Sequence, residues 1–168
     1  LFMMILASFL IAINWLTYIF AVAHGQATQA SFGYYIMPLV SILFAVIFLH
    51  ESLSSWMLSA IAIAGFGVGM LAFDTGQVPL VSIILALSFG LYGLVKKNIR
   101  LSSDVAMLVE SSLVLPFVMI YLVIFSKESM LDYTLLENIL LVISGVVTAI
   151  PLLLFAEAVK RAPLNIIG

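Results

Sequence analysis

The side chains able to do chemistry are few, and most of them interrupt long apolar runs. Glu110 is the sharpest case. It lies two turns into the run 104–125, where a charge near the middle of a bilayer costs about 2.5–3.5 kcal/mol to insert. A carboxyl at such depth suits proton coupling. The plainer alternative is that it reaches water, or pairs with Lys96, Lys97 or Arg100 in the stretch just before it.

Other polar residues fall at helical spacing. Asn14, Thr17 and Tyr18 stand at i, i+3, i+4 with Trp15 beside them, and Tyr34, Pro38 and Ser41 at i, i+4, i+7. Ser88 and Tyr92 lie one turn apart, and Ser144, Thr148 and Pro151 again follow i, i+4, i+7. In lipid, polar side chains seek each other or a wet cavity, so such stripes mark inward faces. Asn14 has an amide with four hydrogen-bonding sites to satisfy, and Trp15, Tyr18, Tyr34 and Tyr92 can stack on a flat or cationic solute. The alternative for any one Ser or Thr is a bond to its own helix, and for a Tyr plain packing in a bundle.

Several chemistries are excluded. Cysteine is absent, which removes disulfides, thiolate metal sites and thiol nucleophiles. His24 and His50 stand alone, so no shared metal site is expected. Gly65, Gly67 and Gly69 form GxGxG without a preceding strand, which rejects dinucleotide binding. Gly65 and Gly69 with Ala60 and Ala64 read instead as a small-residue packing face. There is no Walker motif, and no paired carboxylate or nucleophile–base couple at depth, so neither an ATPase nor an intramembrane enzyme is indicated. No cofactor is expected. Net charge is −2 without a basic tract, which argues against nucleic acid.

The elements that must position these residues follow from composition. Of 168 residues, 65% are hydrophobic and only 8% charged, a threefold deficit against the roughly 25% of soluble domains. A globule of this size cannot hide so much apolar surface from water. The solvent must be lipid, and long apolar runs in lipid are helices. Six spans are expected, at 1–23, 31–49, 55–73, 79–98, 104–125 and 136–160. The breaks carry turn chemistry: His24-Gly25-Gln26, Ser52 to Ser55, Asp74-Thr75-Gly76, Asn98 to Asp104, and the longest loop from Ser126 to Thr134. The connections after spans two, four and six hold five Lys or Arg (Lys96, Lys97, Arg100, Lys160, Arg161) against one (Lys127) on the other side, which places the first set in the cytoplasm. Starting at Leu1 inside one apolar run and stopping at Gly168 as another begins, the sequence reads as a fragment of a longer bundle.

An internal similarity adds symmetry. Residues 20–33 (FAVAHGQATQASFG) and 155–168 (FAEAVKRAPLNIIG) share five of 14 positions, and both end one helix and open the next. The offset spans five helices, an odd number, so the copies would be inverted, as in many secondary transporters.

Particular strings are also familiar. Asn14-Trp15-Leu16-Thr17-Tyr18-Ile19, Ala30 to Val40 (ASFGYYIMPLV), and Ser88 to Leu94 (SFGLYGL) followed by Lys97 resemble signatures of RarD-type proteins. These are EamA-domain members of the drug/metabolite transporter superfamily. Glu110, Leu115-Pro116, Pro151-Leu152-Leu153 and Pro163-Leu164 fall where that family has similar residues; His50 departs from it, where Gly is more usual. The resemblance implies an all-α transmembrane bundle of ten helices in two inverted five-helix repeats, six of them present here. Residues 1–73 would close the N-terminal EamA repeat and 79–168 would open the C-terminal one. It further implies a multi-pass protein of the bacterial inner membrane.

The combined expectation is a secondary active transporter that moves a small organic solute by alternating access. A channel or non-transporting scaffold is the alternative. Asn14, Trp15, Tyr18, Tyr34, Ser88, Tyr92 and Thr148 are the expected cavity residues, Glu110 the candidate for coupling to protons, and Pro38, Pro116 and Pro151 the expected hinges. The remaining charges read as ordinary, with Glu157 and Arg161 a surface i, i+4 pair and Glu51 a loop residue.

Overall fold

Apolar runs with no strand periodicity fold as expected, into helices throughout the described part. The computed structural model describes residues 2–75, 80–125 and 133–167. In chain order the helices are α1 (Phe2–Ala23), α2 (Ala27–Leu49), α3 (Ser55–Thr75), α4 (Leu80–Lys97), α5 (Ser103–Phe125), α6 (Leu135–Arg161) and α7 (Leu164–Ile167). Gly76, and Lys127, Glu128 and Asp132 of the expected long loop, lie outside the described residues.

The expectation of six spanning helices is corrected. There are seven helices among the described residues, and five of them (α1, α2, α4, α5 and α6) are long and apolar enough to cross a membrane. The apolar stretch of α3, Ser55–Met70, is shorter, and at 1.5 Å per residue it reaches only about 24 Å against a hydrocarbon core of ~30 Å. α7 is a single turn. A six-helix share of a ten-helix, doubly repeated bundle is therefore not what the chain displays.

Helix boundaries follow local chemistry. Thr134 and Glu137 form a reciprocal cap on α6: the Thr134 N–H donates to Glu137 Oε2 at 2.7 Å, and the Glu137 N–H donates to Thr134 Oγ1 at 3.4 Å. α2 ends on His50, whose φ of 52° is left-handed, with its N–H donating to the Ala45 carbonyl. That conformation favours glycine, so His50 holds a backbone that a residue without a side chain adopts at less cost.

α4 is the most enclosed helix and packs chiefly between α1 and α2; α5 leans on α1, α6 on α4 and α5, and among the described residues α3 touches α2 alone. The outward faces of α5 and α6 are apolar and exposed, as lipid-facing helices require. Close approach of α2 and α4 depends on two glycines. A Cβ on Gly33 would come within 3.1 Å of the Ser82 Cα, and one on Gly90 within 2.9 Å of Val40 Cγ1. The small-residue face expected at Gly65 and Gly69 meets nothing within 4 Å among the described residues. Small residues permit a close partner but do not supply one.

Candidate functional site

An indented cleft of about 320 Å³ opens between α1, α5 and α6. Ile11, Ala12 and Trp15 of α1 line it with Met107, Glu110, Ser111, Val114, Leu115 and Val118 of α5, Tyr92 of α4 and Leu152 of α6. Most of this wall is hydrocarbon. Its polar floor is a buried triad. Lys96 Nζ donates to Glu110 Oε1 at 2.7 Å, and the Tyr92 hydroxyl donates to Glu110 Oε2 at 3.1 Å. Lys96 is 0% exposed, Tyr92 2% and Glu110 4%. The ammonium also sits 5.5 Å from the centroid of the Tyr92 ring, within cation–π range. Phe89 and Phe155 pack at a tilt against each other at 4.8 Å and close round Tyr92.

The triad corrects one sequence expectation. Lys96 was counted as a loop cation that orients the chain, but it belongs to the last turn of α4 and points into the bundle. Pairing is what makes both charges tolerable, because each alone would carry the full insertion cost. Of the expected cavity residues, Trp15 and Tyr92 line the cleft beside Glu110.

Asn14 and Ser88 are placed elsewhere. The Asn14 amide donates to the Leu85 carbonyl at 2.9 Å and to Ser88 Oγ at 3.0 Å, so both of its N–H groups bind α1 to α4. Ser88 in turn donates to the Leu85 carbonyl of its own helix at 3.2 Å. Tyr18 and Tyr34 meet each other edge-to-face at 5.9 Å, both partly exposed. Thr148 is half-buried on α6. Pro38, Pro116 and Pro151 lie within α2, α5 and α6, all exposed, and none ends its helix.

A second polar cluster escaped the sequence reading. It ties together the three connections at one end of the bundle. Glu51, after α2, accepts from Lys97 Nζ at 2.5 Å and from the backbone N–H groups of Leu164 and Asn165 at 3.0 Å each. Lys97 also donates to the Ala162 carbonyl at 3.4 Å, and the Asn165 amide to the Ser52 carbonyl at 3.3 Å. Burial alone would push the Glu51 carboxyl up. The Lys97 ammonium and the two N–H groups outweigh it and hold the carboxyl below the ordinary glutamate range. Nearby, Ser103 donates to Glu157 at 2.7 Å, and Glu157 and Arg161 form the expected exposed pair.

Comparison with known proteins bears on what such a cleft serves. The model of the EamA-like transporter family matches residues 1–73. An uncharacterized transporter of Bacillus subtilis, YojE, is 47% identical over 167 residues, covering 97% of this chain and 55% of that protein. Protein RarD of Escherichia coli is 38% identical over 170 residues, covering 99% of this chain and 57% of RarD. The chain is similar to EamA-like transporters along its length, and its first 73 residues match the family itself. An uncharacterized transporter of Vibrio cholerae is 37% identical over 169 residues, covering 99% of the chain and 56% of the relative. No solved structure matches significantly. This EamA-like chain spans about half the length of the curated relatives it matches, and it is an integral, multi-pass membrane protein.

The EamA-like sequence did hold a signal for Lys96. Ser88, Tyr92 and Lys96 follow i, i+4, i+8, so the inward stripe of α4 continues one turn beyond where it was read. Glu51 offered none, because its partners lie 46 to 114 positions away.

Proposed function

We propose that the protein of which this chain is part is a secondary carrier for a small organic solute, working by alternating access in the bacterial inner membrane. The cleft is the observation that carries this reading: an apolar wall with two aromatic side chains, Trp15 and Tyr92, and one carboxylate, Glu110. A site of that kind, a mostly apolar lining with a small number of placed polar groups, is what organic ligands select. Residues 1–73 and 79–168 belong to two successive EamA units, and the cleft draws lining from both, Trp15 from the first and Glu110 from the second.

Tyr92 shares the solute site, and Glu110 couples it to protons. Asn14 and Ser88 fix the α1–α4 seam that presents Trp15. Tyr18, Tyr34 and Thr148 lie along the route to and from the cleft. Pro38, Pro116 and Pro151 each leave a carbonyl without its helical donor, which makes α2, α5 and α6 bend most readily there. Alternating access also needs one end closed while the other opens. The Glu51–Lys97 cluster joins the first unit to the second at one end, as such a closure requires.

The test is solute flux in proteoliposomes containing the full-length protein, with and without an imposed proton gradient. A carrier gives flux that saturates with solute, and Glu110→Gln abolishes the gradient-driven flux. Unsaturable ion current would establish the channel instead, and absence of flux for every solute tried would favour a scaffold.

A further inference from the structure

The floor of the cleft holds two opposite charges but offers only one of them to a solute. Glu110 lines the cleft with Tyr92 and Trp15, whereas Lys96 sits behind the carboxylate and contributes nothing to the wall. From this sidedness we infer that the solute is a monovalent aromatic organic cation, and that Lys96 surrenders its proton as the cation binds. The inference rests on the carrier reading and names its substrate class.

The carboxylate has room for a second partner. Each Glu110 oxygen takes one hydrogen bond, from Lys96 and from Tyr92, while a carboxylate accepts about four. Trp15 adds a partly exposed indole face beside it, the aromatic surface that best attracts a cation. Together they fit a positive centre attached to an apolar or aromatic body.

Charge balance decides the rest. The titratable groups facing the triad are few. α4 contributes Tyr92 and α5 contributes Glu110. α1 presents Met4, Ala7 and Leu10, and α6 presents Phe155. Other acids lie outside the cleft: Asp104, in the exposed first turn of α5, bonds Ser102, Glu157 bonds Ser103 and Arg161, and Glu51 bonds Lys97. Among the described residues, then, one carboxylate must balance whatever positive charge enters. Two cations on it would leave a net charge in hydrocarbon, which is strongly disfavoured.

A quaternary ammonium cannot shed a proton, but lysine can. The proton crosses the 2.7 Å from Lys96 Nζ to Glu110 Oε1 and leaves from the carboxyl to water in the cleft. What remains is a neutral amine, a carboxylate and the bound cation. The cleft carries no net charge before or after, so one cation exchanges for one proton.

Binding to the full-length protein in detergent micelles tests this without requiring transport. The probe is benzyltrimethylammonium, with its uncharged carbon isostere neopentylbenzene as control. Calorimetry in buffers of different ionisation enthalpy counts protons. The wild type should release one proton per cation bound at neutral pH and ignore the isostere. Lys96→Arg keeps the ion pair but holds its proton, so it should bind at least about tenfold more weakly and without release. Glu110→Gln should lose binding.

No binding by the wild type, binding without proton release, equal binding of the isostere, or an Arg variant that binds and releases as the wild type does would each overturn the inference. Saturable flux of an uncharged solute alongside no cation binding would refute the cation and leave the carrier standing. Proton-releasing binding without flux of the cation would uphold the site and refute the carrier.

Discussion

Lys96 and Lys97 are consecutive on α4, and their surroundings could hardly differ more. A helix turns about 100° per residue, which is enough to send one ammonium into the bundle and the other to its end. Lys96 is wholly buried and hydrogen-bonds a single carboxylate. Lys97 is 24% exposed and its partner Glu51 13%, and that carboxylate also takes two backbone N–H groups. Besides its own mutual attraction, the dry pair has one further partner among the described residues to offset desolvation, Tyr92. The end cluster spreads its charge over a hydrogen-bond network and keeps some water. An ion pair of the first kind is sensitive to any change of charge beside it, whereas one of the second kind acts as a fastening.

Breaking the dry pair should have the largest effect. Glu110→Leu strands the Lys96 ammonium in the bundle and should cost about 3–5 kcal/mol of stability, read from unfolding in mixed micelles. Adding Lys96→Met to that variant should recover most of the loss, because an apolar pair of similar volume is often as stable as a buried ion pair. A double variant no more stable than the single one would mean that the triad is needed for folding rather than kept for function.

The fastening should respond more gently and show pH dependence. Glu51→Gln should cost about 1–2 kcal/mol at neutral pH, the worth of a charge-assisted hydrogen bond. The Glu51 carboxyl is held below its ordinary range when folded, so its contribution is complete above that range and lost as pH falls through the lowered value. Melting curves of wild type and Glu51→Gln should therefore converge as pH falls below the ordinary glutamate range. The smallest effect lies next door. His50→Gly relieves the left-handed backbone at φ 52° and should stabilise by about 0.5–1 kcal/mol without altering the pH response.

Much of this was legible from residue types. Apolar runs located the helices to within a turn or so, and the inward stripes of α1 and α4 were read from Asn14 and from Ser88 with Tyr92. The α4 stripe was stopped one turn early because Lys96-Lys97-Asn98 has the composition of a helix end meeting water. Spacing placed Lys96 on the inner face, and composition argued for the outer; spacing was the better guide. Glu51 was unreadable for another reason, since it acts on backbone donors at Leu164 and Asn165 that only the folded chain brings near. The small face at Gly65 and Gly69 failed as a predictor because a glycine records what can approach, not what does. Gly33 and Gly90, equally plain in the sequence, are where the helices meet.

The central place of α4 has a consequence for biogenesis. Asn14 on α1 and Gly33 on α2 both find their partners on α4, at Leu85, Ser88 and Ser82. A ribosome delivers α1 and α2 to the membrane before α4, so for a time a bare amide and an empty notch wait in lipid for a helix not yet made. Entry of α4 fills both, and a chain stalled before residue 80 presents membrane quality control with an unpaired amide at depth.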